Sequence, residues 1–159
     1  MTTSFLFPNK CKWIGWALFI PALLVAVILP FTALNIDEML TTKVFAIVDN
    51  GLFAETGFFR FNENSIGDEI LLSCLIVGGL LVGFSRLKHE DEYTSQIRYE
   101  SLVWATYFNF GIMLLATIFV YGSAYFNVLV ANVFTLLLFF IIRFHVKLYK
   151  LNQSANNEE

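Results

Sequence analysis

The feature that most constrains this chain is the long run from Ser101 to Ile142, which contains no charged side chain. One helix over this run would be roughly twice as long as a bilayer needs, because about 20 apolar residues cross the hydrocarbon core. The segment Tyr121 to Asn127 combines a glycine with interfacial tyrosines, which is typical of a turn at a membrane surface. The run therefore predicts a helical hairpin with spans at about 102–121 and 127–147.

Two other uncharged runs predict two further spans. Trp13 to Leu34 is longer than a typical signal-peptide core, and no cleavage site follows it. The uncharged run from Ile70 to Ser85 is shorter than a full span, so residues on both sides of it must also belong to the membrane-spanning helix. Two acidic residues would lie in the first helical turn, and basic residues could snorkel at the other end. We expect spans at about 13–34 and 66–87, with a kink at Pro21.

The overall composition agrees with a lipid environment. Of the 159 residues, 57% are hydrophobic and 14% are charged, and the mean hydropathy is +0.67. A soluble domain has about 25% charged residues. The net charge of -3 does not indicate a nucleic-acid partner. The predicted fold class is all-α, an integral membrane bundle of four transmembrane helices with one outer loop over residues 35–65.

The positions of the basic residues predict the orientation of the bundle. Eight of the ten Lys and Arg residues lie in the N-terminal segment, between the second and third spans, or at the C-terminal end of the last span. Basic residues remain on the cytoplasmic side, so we expect both termini there. The expected organisation is a cytoplasmic N-terminus at 1–12, a transmembrane domain at 13–150 and a disordered cytoplasmic tail at 151–159.

The outer loop leaves two structures open. Asp37 and Asn50-Gly51 are suitable ends for a helix, yet Val44 to Val48 fits a helix and a strand equally well. The segment Gly57 to Phe61 places three aromatic residues beside one arginine, as in segments that lie on lipid headgroups. We interpret the loop as an interfacial cover for the helix ends, and the alternative is an outward-facing lid or ligand sensor.

The segment between the second and third spans, RLKHEDEYTSQIRYE, mixes positive and negative charges densely. Such a segment is typical of a solvated connector that extends both helices beyond the bilayer. Its functional interpretation is a docking surface for a cytoplasmic protein. The candidate docking residues are Arg86, Lys88, Glu90, Asp91, Glu92, Arg98 and Glu100.

Four residues within the spans are candidates for helix packing. Gly79 and Gly83 form a GxxxG pattern, which lets two helix backbones approach closely, either within one chain or between two copies. Thr117 and Asn132 come to the same depth in the hairpin, where a hydrogen bond between helices contributes about 1 kcal/mol. The neutral polar residues of the spans, which include Asn109, also allow a path for a solute.

The sequence contains no constellation that predicts catalysis. His89 with its acidic neighbours, and His145, are the residues of metal-ligand type, but consecutive residues fan around a helix and do not converge on one ion. The spans also lack the interior charges that proton-coupled carriers use. We therefore predict no enzyme, no cofactor and no metal.

The predicted function is that of a non-enzymatic interaction or regulatory component that docks a cytoplasmic partner through residues 86–100. The alternative is a small oligomeric pore or carrier for a neutral or small solute. The predicted partners are the lipid bilayer, a cytoplasmic protein and further copies of the chain.

Several short segments from about Ile66 to Lys150 also carry a family resemblance. They are Gly83-Phe84-Ser85-Arg86, Glu90-Asp91-Glu92-Tyr93, Arg98-Tyr99-Glu100-Ser101-Leu102, Tyr121-Gly122-Ser123-Ala124-Tyr125-Phe126 and Phe139-Phe140-Ile141-Ile142-Arg143-Phe144. Together they resemble a group of small bacterial four-span inner-membrane proteins with no assigned activity. The resemblance implies a membrane topology and a bacterial origin, and it implies no function.

Overall fold

The computed structural model describes residues 5–29, 32, 41–49, 57–88 and 91–156. These residues form α1 (Asn9–Ile28), β1 (Thr41–Asp49), β2 (Gly57–Ser65), α2 (Gly67–Phe84), α3 (Glu92–Phe119) and α4 (Ser123–Asn156). Within the described part of the chain, four helices are long and apolar enough to cross a membrane. The prediction of four helices of membrane-spanning length is confirmed, and it indicates a multi-pass membrane protein.

The helix ends differ from the predicted spans. The first helix ends at Ile28 rather than near residue 34, and Pro30 follows two residues later, where proline removes a backbone donor. The second helix ends at Phe84, so it does not extend into the charged connector. The tail predicted to be disordered from residue 151 is helical through Asn156. It contains no glycine or proline before that point, so nothing interrupts a helix that is already formed.

The chain divides into two compact units, and the divisions fall inside α1 and α2. The first unit contains residues 1–20 and 75–159, and the second contains residues 21–74. The second unit includes a β-hairpin in which β1 and β2 pair antiparallel, from Thr41 opposite Ser65 to Asp49 opposite Gly57. The strand alternative for residues 44–48 is therefore the correct one, and the hairpin adds a small sheet to the predicted all-α fold. The proposed helix ends at Asp37 and Asn50-Gly51 lie outside the described residues.

One face of this hairpin is apolar and exposed. The Phe45 ring lies 5.3 Å from the Phe61 ring and 6.2 Å from the Phe59 ring, measured between centroids. β1 is rich in β-branched residues, which explains why a strand forms here, since such side chains pack well on a pleated surface. At the end of β2, Asn64 Nδ2 donates a 2.9 Å hydrogen bond to Glu69 Oε1 in the first turn of α2. Glu69 thus lies in the first helical turn, as predicted.

In the first unit, α4 packs against α1, α2 and α3. Phe140 and Phe144 of α4 are almost completely buried. Rings of α4 contact rings of all three other helices, and the distances that follow join ring centroids. Phe140 lies 5.2 Å from Phe84 of α2, and His145 lies 5.4 Å from Trp16 of α1. Phe139 lies 4.3 Å from Phe108 of α3. Aromatic side chains on several sides of one helix therefore form the core of this unit.

Helices α1 and α2 approach each other at backbone level. A Cβ atom added at Gly78 would lie 2.8 Å from the backbone nitrogen of Phe19, and one added at Gly15 would lie 2.9 Å from that of Val82. Real Cβ atoms do not approach backbone so closely, so these two positions require glycine. Neither residue belongs to the GxxxG pattern of the sequence, and their pairing becomes visible only when the two helices are in register.

The predicted turn between the last two helices is found next to Gly122, which has a φ of 72°. Across this turn, Thr117 Oγ1 lies 3.0 Å from the Tyr125 hydroxyl. The two helices contain 28 and 34 residues, which at about 1.5 Å per residue gives lengths of about 42 and 51 Å. A hydrocarbon core is about 30 Å thick. We call the end opposite the turn the open end; it consists of residues 91–100 and 143–151.

The close approach of α1 and α2 predicts different effects for two glycine substitutions. Gly78→Ala places its methyl group against the Phe19 backbone and is expected to destabilise the protein by about 1 to 3 kcal/mol. Gly111→Ala meets no atom within 4 Å, so it is expected to stabilise its helix by up to about 1 kcal/mol. Thermal unfolding of the detergent-solubilised variants measures the difference. Equal melting temperatures would contradict the close approach.

Candidate functional site

The open end lies beside the N-terminal segment and the connector after α2. Phe7 N donates a hydrogen bond of 2.9 Å to Phe84 O, and Arg86 N donates one of 2.9 Å to Phe7 O. These two bonds form a parallel bridge between Phe7 and Ser85. Leu6, which precedes Phe7 in the sequence, is buried. The start of the chain therefore fixes the position of the connector.

Asp91 determines where α3 begins. Its Oδ1 accepts a hydrogen bond of 2.8 Å from Thr94 N and another from the Thr94 hydroxyl, which is the geometry of an N-cap. These hydrogen bonds, first from the hydroxyl and then from the backbone, hold the pKa of the Asp91 carboxyl below its ordinary value. The cap stays ionised at neutral pH, next to the positive end of the helix dipole.

Arg98 is buried, with only 6% of its surface exposed. Its Nη2 donates a hydrogen bond of 3.3 Å to Ser85 O, and its Cζ lies 5.0 Å from the centre of the Phe144 ring. A guanidinium group can be buried in this way because its planar faces stack on aromatic rings while its edge donates hydrogen bonds. Arg98 therefore offers almost no surface to a partner, and nothing in this structure supports its predicted role in docking. It connects α3 to α4 and to the connector.

Glu100 and Lys147 form an ion pair across the open end. Lys147 Nζ lies 2.6 Å from Glu100 Oε2, and the side chains of the lysine and the glutamate are 36% and 42% exposed. An exposed pair of this kind contributes little to stability, because solvent screens it. Its main consequence is positional, because it holds the polar ends of α3 and α4 side by side.

A cleft of about 410 Å³ opens next to this ion pair. We call it the α3–α4 cleft. Ile97 and Leu151 supply apolar surface, while the lysines and Glu100 supply charge. Its lining residues are Tyr93, Gln96, Ile97, Glu100, Lys147, Lys150 and Leu151. A concave surface that combines apolar and charged groups in this way can bind an amphipathic segment.

The predicted docking residues differ in how exposed they are in the structure. Four of them are exposed, namely Arg86, Lys88, Asp91 and Glu92. Glu100 is partly exposed and paired, and Glu90 lies outside the described residues. Tyr93, Lys147 and Lys150 line the cleft but were not among the predicted docking residues. The sequence could have indicated that the two lysines lie at this site, because the predicted helical hairpin brings the C-terminal part of α4 next to the start of α3.

The candidate packing residues make contacts within the chain. A Cβ atom at Gly83 would lie 2.6 Å from the Phe140 ring, and one at Gly79 would collide with the Leu137 side chain. Both glycines therefore accept α4 side chains. This contact lies entirely within one chain.

Thr117 and Asn132 do not bond to each other in the way that their predicted depth suggested. The Thr117 hydroxyl donates a 2.8 Å hydrogen bond to Met113 O, and Asn132 Nδ2 donates one of 3.3 Å to the Met113 sulfur atom. Both residues contact Met113, and their similar depth in a membrane stays a prediction.

Groups that could carry redox or metal chemistry are dispersed. Among the described residues, no three His, Cys, Asp or Glu side chains form a group that could hold a metal ion. His89 lies outside those residues, and His145 Nδ1 lies 2.9 Å from Ile141 O of its own helix. Cys11 and Cys74 are free thiols.

The chain was compared with known proteins at three levels. No protein-family model, no curated protein and no solved structure matches it. The resemblance to small bacterial inner-membrane proteins therefore stays a prediction. The geometry of the open end is the basis for a functional proposal.

The buried position of Arg98 predicts a large effect on stability. Arg98→Gln removes the ring contact and a hydrogen bond from a charged donor, and we expect the free energy of unfolding to fall by about 1.5 to 3 kcal/mol. Lys10→Gln, which removes an exposed positive charge from α1, is the control and is expected to change it by less than about 0.5 kcal/mol. Thermal unfolding followed by tryptophan fluorescence measures both variants. Similar melting temperatures for the two would show that Arg98 does not connect these elements.

Proposed function

We propose that this chain is a non-enzymatic protein of a bacterial inner membrane that binds a cytoplasmic protein at its open end. Both termini are cytoplasmic in this proposal. The distribution of eight of the ten basic residues on that side of the predicted spans supports the orientation. The geometry of α3 and α4 supports docking at the open end.

The length of the last two helices is the observation that carries the proposal. At about 42 and 51 Å, α3 and α4 are longer than a span needs. The charged residues of both helices are confined to the open end, so the excess length lies there. Two packed helices that project from a bilayer offer a preorganised surface, and preorganisation reduces the entropy lost on binding.

Three interactions make this projection a defined surface. The N-cap by Asp91 begins α3, the Arg98 contact with Phe144 joins α3 to α4, and Glu100 pairs with Lys147. A flexible, solvated connector would lack such contacts. The surface is therefore rigid enough to select a partner by shape as well as by charge.

The lining of the α3–α4 cleft suggests the chemistry of the partner. Ile97 and Leu151 match an apolar side chain, while Lys147 and Lys150 match acidic groups. An amphipathic helix that carries a leucine or phenylalanine next to an acidic residue satisfies both requirements. The contact can extend to exposed residues on neighbouring parts of the same unit, which are Arg86, Lys88 and Glu92.

Photocrosslinking in intact cells tests this proposal. A photoreactive amino acid at Gln96, in the cleft, is expected to capture a cytoplasmic protein, whereas one at Ser123, beside the turn, is expected to capture none. Adding Lys150→Glu should reduce the Gln96 product about tenfold, because like charges in an interface cost more than about 1.4 kcal/mol.

Lys10→Glu is the matched control, since Lys10 is an exposed lysine of α1 that does not line the cleft. It should leave the Gln96 product unchanged. A product that forms equally from both probe positions, or only from Ser123, would refute docking at the open end.

Two buried asparagines support a second candidate, a small oligomeric pore or carrier. Asn109 and Asn132 are 9% and 6% exposed, and the Oδ1 atom of each has no hydrogen-bond partner among the described residues. A buried acceptor without a partner is unfavourable, and a solute with a donor group would satisfy it. The candidate ranks second because both side chains are buried.

Solute flux into reconstituted vesicles distinguishes the two candidates. If these side chains line a path, Asn132→Leu should lower the flux at least tenfold, and the nearby exposed substitution Val133→Leu should not. If the chain is a docking component, wild type and both variants should give the same flux as empty vesicles.

A further inference from the structure

A groove with a volume of about 710 Å³ lies on the surface of the α3–α4 pair. It begins at Trp104 and passes Tyr107 and Phe108 towards Leu115. Gly111 lies along this path, and a Cβ atom there would meet nothing within 4 Å. The missing side chain therefore contributes to the depth of the groove in the middle of an otherwise apolar helix face.

An arginine closes the end of this groove that is nearer the open end. Arg143 lines it, and its Cζ lies 5.0 Å from the centre of the Trp104 ring. The Nε atom of Arg143 is buried and has no hydrogen-bond partner in the part of the chain that the structure describes. A ring orients a guanidinium group but does not neutralise it. The pKa of the Glu100 carboxyl is held below its ordinary value first by the hydrogen bond and charge of Lys147 and, more weakly, by the charge of Arg143. Because Glu100 is hydrogen-bonded to Lys147, the guanidinium group of Arg143 can still bind a further anion.

We propose that this groove binds one phospholipid with an anionic headgroup. One acyl chain lies along the aromatic and aliphatic wall over Gly111, and the headgroup phosphate contacts Arg143. The site is independent of partner docking, because the α3–α4 cleft and this groove share no lining residue.

The shape of the groove fits an acyl chain. Trp104, Tyr107 and Leu115 are more than half exposed in the isolated chain. In a helix of membrane-spanning length these side chains face hydrocarbon, so the medium around them already consists of acyl chains. The open space at Gly111 lets one chain lie deeper than the lipids on the flat faces beside it, and a deeper position gives more contacts.

The charge distribution favours a phospholipid over a second copy of the protein. The lining of the groove contains one arginine and no carboxylate, and Glu100, one turn before Trp104, is already paired with Lys147. A second copy packed symmetrically on this face would bring two arginines towards each other or cover one with apolar side chains. A phosphate matches the flat, forked donor of Arg143 instead. Basic groups between helices near a membrane surface are typical of sites for anionic lipids.

Lipid titration of the purified full-length chain in detergent tests the proposal. Phosphatidylglycerol and phosphatidylcholine with the same acyl chains are added separately, and binding is followed by native mass spectrometry and by thermal unfolding. We expect one saturable phosphatidylglycerol per chain, a raised melting temperature and about tenfold weaker binding of phosphatidylcholine. Glycerol 3-phosphate, which has the phosphate without acyl chains, should have no effect.

Two substitutions test the headgroup contact and the acyl-chain contact separately. Arg143→Gln should reduce phosphatidylglycerol binding about tenfold, to the level of phosphatidylcholine, because the positive charge that favours a headgroup of net negative charge over a zwitterionic one is removed. Gly111→Leu should abolish the binding of both lipids by filling the groove. Since that position is open, the unliganded melting temperature should not fall, and this readout shows that the variant is folded. Lys10→Gln, which removes an exposed charge elsewhere, should bind like wild type.

Several results would overturn the proposal. They are equal binding of the two lipids, unchanged binding in the folded Gly111→Leu variant, or a response to glycerol 3-phosphate alone. A dimer that dissociates on Gly111→Leu would assign the groove to a second copy of the chain and would also overturn it.

Discussion

The guanidinium group of Arg98 is the interaction on which the open end depends. It belongs to α3, stacks on Phe144 of α4 and bonds to the backbone of Ser85 after α2. A charged side chain that is only 6% exposed is stable only if its surroundings return the interactions that it lost with water. The ends of these elements are therefore constrained together, and the exposed charges around them acquire defined positions.

The packing below the open end follows a simple division of roles between residue types. Gly15 and Gly78 let two backbones approach, and Gly79 and Gly83 receive side chains of α4. Phe140 and Leu137 of α4 fill the spaces that Gly83 and Gly79 leave. In a lipid environment the hydrophobic effect does not drive helices together, so close van der Waals contact of this kind must do so.

The sequence predicted the features that depend on one segment at a time. Absence of charge over a sufficient length predicted four helices, and a glycine between tyrosines predicted the turn at Gly122. The sequence did not predict features that depend on the register between two segments. The spacing of residues within one helix does not show which residue of another helix lies opposite. The Gly15–Gly78 contact and the burial of Arg98 are of this second kind. The secondary structure of Thr41–Asp49 could not be chosen from the sequence, because its short apolar run fits the periodicity of a helix and that of a strand. Its pairing with Gly57–Ser65 makes it a strand.

Two arginines show why residue type alone did not identify the sites. Arg98 and Arg143 each lie 5.0 Å over an aromatic ring at the same end of the α3–α4 pair, so their local contacts look equivalent. They differ in what the rest of the fold offers them. Arg98 faces a backbone carbonyl of the connector, whereas Arg143 faces an apolar groove that has no carboxylate among its lining residues. The same type of side chain is thus a structural link where a backbone carbonyl accepts its hydrogen bond and, in our proposal, a binding group where it lies at the end of an open groove.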